Sequence, residues 1–103
     1  MTVAEWIGQR EPAPPPTLAA RLQRLAEEAP EGMAIPEAMT VVSALVLRRL
    51  LDRGETARDS ALELLAADAL ATYAFEAQAE SPEALDARCT WAMGYLSRIV
   101  ERA

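Results

Sequence analysis

The sequence contains no histidine, no lysine and no asparagine, and a single cysteine, Cys89. Each absence removes a class of chemistry. Without histidine there is no imidazole base, no Ser-His or Cys-His nucleophile pair and no histidine metal ligand. Without lysine there is no Schiff-base amine and no phosphate-loop ammonium. One cysteine can form neither an intrachain disulfide nor a thiolate zinc set, so the composition implies no oxidising compartment. Long apolar runs are lacking too: the uncharged stretch of residues 38–47 falls far short of the roughly 20 residues that span a bilayer. Nothing at the N-terminus reads as a signal peptide. The expectation is a cytoplasmic protein without a membrane partner.

What remains is enough for a core. The chain has 103 residues, fewer than a typical domain of about 150, so one compact domain is expected. Hydrophobic residues at 51 % and charged residues at 25 % lie in the globular range. Twenty-two alanines and ten arginines, with no lysine, fit the codon bias of a GC-rich bacterial genome. A net charge of −6 with scattered arginines argues against nucleic acid, which needs clustered cations along its backbone.

Proline and glycine divide the chain. Val3, Trp6 and Ile7 share a helical spacing, and Pro12, Pro14, Pro15 and Pro16 follow as a polyproline spacer. Residues 1–16 are therefore expected to form an N-terminal arm that carries Trp6 across the domain and pins it there. Residues 17–103 are expected to form the helical bundle. Thr17 caps a helix to Ala29, with Leu18, Leu22, Leu25 and Ala29 on one stripe, and Pro30 ends it. Pro36 opens a second helix to Asp52, with Gly54 as its left-handed cap. Apolar residues from Ala38 to Leu51 wrap almost every side of that helix, so it should be central, with surplus apolar surface for a second subunit.

Thr56 and Asp59 resemble a capping box opening a long helix to Ala79. Ser81-Pro82-Glu83 opens the last helix, to Arg102, whose Leu85, Cys89, Ala92, Leu96 and Ile99 make a seam for antiparallel packing. Counting back from the intervening turn places Gly94 beside Ala66 and Ala67. The fold class expected is all-α: a four-helix up-and-down bundle with an N-terminal Pro-rich arm.

Asp68 is the polar residue out of place. Its helical neighbours are Ala61, Leu64, Leu65, Ala71, Thr72 and Phe75, so it is expected on the buried face, hydrogen-bonded, paired or protonated. Arg88, itself among apolar neighbours, is the candidate ion partner across the hairpin. Cys89 on the seam reads as a small core residue rather than a reactive thiol. Trp91 and Tyr95, one turn apart with Arg98 on the same side, form a candidate partner surface, with cation–π packing inside the protein as the competing reading. Glu27, Glu28 and Glu31 superficially supply acids one turn apart, as a divalent-metal phosphohydrolase needs. Pro30 breaks the helix between them and no second such motif follows, so no metal site and no cofactor is expected.

Residues 64–76, Leu-Leu-Ala-Ala-Asp-Ala-Leu-Ala-Thr-Tyr-Ala-Phe-Glu, resemble one helix of the trans-polyprenyl diphosphate synthases, in which Asp68, Ala69, Leu70, Ala74, Phe75 and Glu76 match as they stand. Arg53, Gly54 and Thr56 resemble the turn preceding that helix. The resemblance implies an all-helical, dimer-forming relative of that fold. It does not imply prenyl transfer: the family's two Asp-rich, magnesium-holding motifs have no counterpart, because the chain contains no Asp-Asp pair.

These features together lead to the expectation of a non-enzymatic interaction or assembly module, homodimeric, with an unknown protein partner. The alternative is a protein that encloses a small apolar or prenyl-like ligand between helices, with Asp68 and Arg88 as its polar groups. The divalent-metal phosphohydrolase is the third class.

Overall fold

The structure is a computed structural model that describes residues 1–53 and 58–101. It is all-helical among the described residues: α1 (Val3–Gly8), α2 (Pro16–Ala26), α3 (Ile35–Arg53), α4 (Arg58–Gln78), a single 3₁₀ turn (Pro82–Ala84) and α5 (Leu85–Glu101). The expected Gly54 cap and the Thr56/Asp59 capping box lie outside the described residues.

The start of the N-terminal segment is a helix, as the spacing of Val3, Trp6 and Ile7 suggests. Thr2 and Glu5 form a reciprocal capping box: Thr2 Oγ1 accepts from the Glu5 N–H at 3.1 Å and Glu5 Oε1 accepts from the Thr2 N–H at 3.0 Å. The backbone donor of Thr2 is the main reason that the Glu5 carboxyl is held below its ordinary pKa. One turn of helix then presents Val3, Trp6 and Ile7 on one face, and all three are buried. The Trp6 Nε1–H donates to Glu80 Oε1 at 3.0 Å, its ring meets Tyr73 edge-on at 5.7 Å, and the Arg10 guanidinium lies over it at 3.4 Å. Trp6 thus fastens the start of the chain to the end of α4, as its apolar spacing implied.

Helix α2 begins at Pro16, behind Pro15, and has no side-chain cap, so Thr17 lies inside its first turn instead of capping it. It ends at Ala26, not Ala29. Pro30 has no N–H to offer the Ala26 carbonyl four residues back, and its ring disfavours helical geometry at Ala29. The Ala29 N–H supplies the bond instead, at 3.1 Å, tightening the chain into a turn. Gly32 at φ +74° then completes the reversal into α3, a backbone conformation that a side chain would strain.

Helix α3 is central, packing against all four other α-helices. Its partnership with α4 is the most extensive and is antiparallel: Pro36 and Thr40 lie beside Ala74 and Gln78, while further along the Ser43 hydroxyl donates to the Ala67 carbonyl at 2.8 Å. Small residues on both sides, Ser43 and Ala44 on one helix and Ala66 and Ala67 on the other, are buried there. Their size lets the two helices approach closely. The largest fully buried side chains are Leu22 and Leu25 from α2, Met39, Val42 and Val46 from α3, and Leu70 from α4.

Helix α5 packs mainly on α3 and much less on α4. Of its expected seam, Ala92 is buried, while Cys89, Leu96 and Ile99 are half-buried. Gly94 does not sit against Ala66 and Ala67. A Cβ added there would meet no other helix, its nearest neighbour being Arg98 Nη1 of the same helix at 3.7 Å. The small pair on α4 serves the contact with α3 instead.

Candidate functional site

Helix α4 buries Ala66, Ala67, Leu70, Ala74 and Ala77, a stripe at steps of three and four that faces α3 and the core. Asp68 follows Ala67 by about 100° around the helix axis. That rotation takes it out of the stripe, and Asp68 is exposed. The expectation of a buried carboxylate is corrected for a physical reason: the neighbours that made its surroundings look apolar, Leu64 and Leu65, are themselves 56 % and 57 % exposed. Asp68 stands on a second apolar face of α4, one that the fold leaves uncovered.

Arg88 does not meet Asp68. Its guanidinium pairs with the Glu37 carboxylate in the first turn of α3, so the start of α5 lies beside the start of α3. The Arg88 and Glu37 side chains line a small pocket with Phe75, Gln78, Cys89 and Trp91. The pair therefore fixes the docking of α5, and the two residues chosen to frame a ligand are not brought together.

On α5 the Trp91 and Tyr95 rings stack on each other, 5.4 Å between centroids and 22° from parallel, and both are half-buried. Arg98 is exposed beyond them. The two rings of the expected strip contact each other. Cys89 is half-buried in the α3–α4–α5 crevice rather than sealed in the core.

Sequence reasoning missed the ion pairs that tie α2 to the rest. Arg21 forms a two-pronged pair with Glu63 of α4, its Nη2 2.9 Å from Oε2. Arg49 of α3 pairs with Glu28, just beyond α2, at 3.2 and 2.5 Å. The Arg49 hydrogen bonds hold the Glu28 carboxyl below its ordinary pKa, and those to Glu63 raise that of Arg21. These pairs join residues 42 and 21 positions apart, a separation at which no periodicity signals a partner.

Of the exposed large apolar side chains among the described residues, Met1 and Met33 lie at the start of the chain and in the turn before α3, and the rest lie on α3, α4 and α5. Leu45 and Leu51 belong to the second half of α3, and Leu64 and Leu65 to the first half of α4. Because the two helices are antiparallel, Leu51, Leu64 and Leu65 lie toward the same end of the pair, with Leu45 nearer its middle. Helix α5 adds Met93, 61 % exposed, and Val100, 46 % exposed. Isolated exposed leucines are ordinary on any protein, and Leu64 and Leu65, adjacent in sequence and each more than half exposed, are the largest departure from that pattern on α4.

Among the described residues, no three acidic or cysteine side chains converge as a metal site, and no helix is long and apolar enough to cross a membrane. Comparison with protein-family models, with curated proteins and with solved structures gave no significant match to this chain.

Proposed function

We propose that this protein is a non-enzymatic assembly module, an up-and-down helical bundle that self-associates through the apolar end formed by α3 and α4. The observation that carries this reading is the adjacent pair Leu64 and Leu65, each more than half exposed on a helix whose opposite side is fully engaged in the core. Burying a leucine that is half in water contributes roughly 1 kcal/mol, so a symmetric contact that covers Leu51, Leu64 and Leu65 in both copies gains several kcal/mol of apolar burial. A two-fold axis doubles every such contact. Self-association is also what the resemblance of residues 64–76 to the prenyl-synthase helix would imply. Of the acids, Glu63 and Asp68 stand closest to the two leucines in sequence, and Glu63 is paired with Arg21.

Sedimentation equilibrium between about 1 and 100 µM tests the proposal. The expected result is a dimer for the wild type and a monomer for Leu64→Glu/Leu65→Glu with unchanged helical circular dichroism. A wild-type monomer throughout that range overturns it.

A further inference from the structure

We infer that the cleft between α1 and the turn joining α2 to α3 is a binding site for a small amphiphile that carries one cationic head group. The cleft has a volume of about 500 Å³, within the range of small-molecule sites. Its walls are apolar: Val3 from α1, Ala26 and Ala29 from the end of α2 and its turn, and Ile35 from the start of α3. The polar side chains that can select a ligand are Glu27 and Glu31. Both are exposed, and neither has an ion-pair or hydrogen-bond partner among the described residues, whereas the neighbouring Glu28 is taken up by Arg49. No arginine lines the cleft, and the one cationic group among its lining residues is the α-ammonium of Met1.

The walls are held in place from several sides. The capping box fixes the start of α1, and the Gln23 amide donates to the Ala4 carbonyl at 3.1 Å, tying α1 to α2. Gly32, with open space around its Cα, turns the chain away and leaves the mouth open. An apolar hollow whose edge carries two free carboxylates against the single α-ammonium of Met1 is complementary to a hydrocarbon chain ending in an ammonium group. A carboxylate or phosphate head is disfavoured by the excess negative charge there, and a neutral head leaves it unused. This site is separate from the leucine-rich end of α3 and α4, and its occupancy does not depend on self-association.

Octylamine is the probe, with octanol, octanoate and butylamine as controls, followed by calorimetry and by amide shifts of the uniformly labelled full chain. The expected order is octylamine tightest, octanol about five-fold weaker and octanoate weaker still, as two solvent-exposed carboxylates contribute roughly 1 kcal/mol together. Butylamine, four methylenes shorter, falls by on the order of a hundred-fold if the chain is buried. Shifts should concentrate on residues 3–4, 26–35 and 38. Glu27→Gln/Glu31→Gln, a surface change, should abolish the preference of amine over alcohol while keeping the fold, and Ala29→Phe should block both ligands. Equal binding of octylamine and octanol, an unaltered preference in the double variant, or amide shifts spread over the other surface acids would each overturn the assignment. Shifts of the cleft residues that follow protein concentration without probe would assign the cleft to a second copy instead, and would also overturn it.

Discussion

Replacing Trp6 with alanine should remove a large share of the stability of the whole domain, although the residue lies six positions from the start of the chain. Trp6 is 3 % exposed, so its indole is withdrawn from water almost entirely. Its edge contact with Tyr73, the cation above its face and the Nε1 bond to Glu80 all vanish with the ring. Large-to-small changes of this kind cost about 3–5 kcal/mol, a figure that already includes the cavity left behind. Stability of a small domain is about 5–15 kcal/mol, so the variant should be marginal. At this chain length the melting temperature should fall by on the order of 20 °C. Trp6→Phe separates the components: it keeps most of the apolar burial and loses the donor to Glu80, for a cost of about 1–2 kcal/mol. Urea titrations followed by circular dichroism, at one fixed protein concentration, give both numbers. A cost below about 1 kcal/mol for Trp6→Ala would refute the placement of α1 in the core and return the segment to a loosely attached arm.

Four further outcomes are expected. Gly94→Ala should stabilise by about 0.5–1 kcal/mol in thermal melts, because the added Cβ meets no other helix and glycine is a poor helix former; destabilisation would mean that a neighbour packs there after all. Asp68→Leu should change urea stability by less than about 0.5 kcal/mol, as expected of an exposed residue, and should strengthen self-association in sedimentation by enlarging the apolar face. Ser43→Leu should cost about 1–3 kcal/mol by forcing α3 and α4 apart, whereas Ser43→Ala loses only the bond to Ala67 and should cost about 1 kcal/mol. The Glu28 carboxyl is depressed by Arg49, so its contribution is present above the ordinary value of 4.5 and is lost as pH falls through the lowered one; the stability difference between wild type and Glu28→Gln, small because the pair is exposed, should shrink between pH 6 and pH 3.

The helical class and the order of α2 to α5 were legible in the sequence because proline, glycine and the 3.6-residue period act locally. The burial of Val3, Trp6 and Ile7 was legible for the same reason, and the Thr2-x-x-Glu5 capping signal that makes this segment a helix stood in the sequence unused. The side of α4 that meets the core was not legible. Its alanines, Ala66, Ala67, Ala74 and Ala77, form the buried stripe with Leu70, while the bulkier Leu64 and Leu65 lie outside it. Hydrophobic size alone therefore points to the wrong face. The close approach of α3, with Ser43 reaching the Ala67 carbonyl, selects small residues at the interface and leaves the leucines over. Two leucines exposed beside a carboxylate are hard to explain as packing within one chain, since the domain already has a better-fitting face in use. The proposed contact with another copy would cover them. The same reasoning accounts for Asp68: it looked like a charge sealed in a core because it stands on an apolar surface, and a charge at the border of an interface can fix the register of two chains without bearing the cost of burial. Asp68→Arg is the corresponding test. If Asp68 lies at the rim of a two-fold contact, reversing its charge should alter the salt dependence of dimerisation while leaving the monomer's urea midpoint unchanged; a shift in the monomer's midpoint with no effect on association would place its role inside the chain.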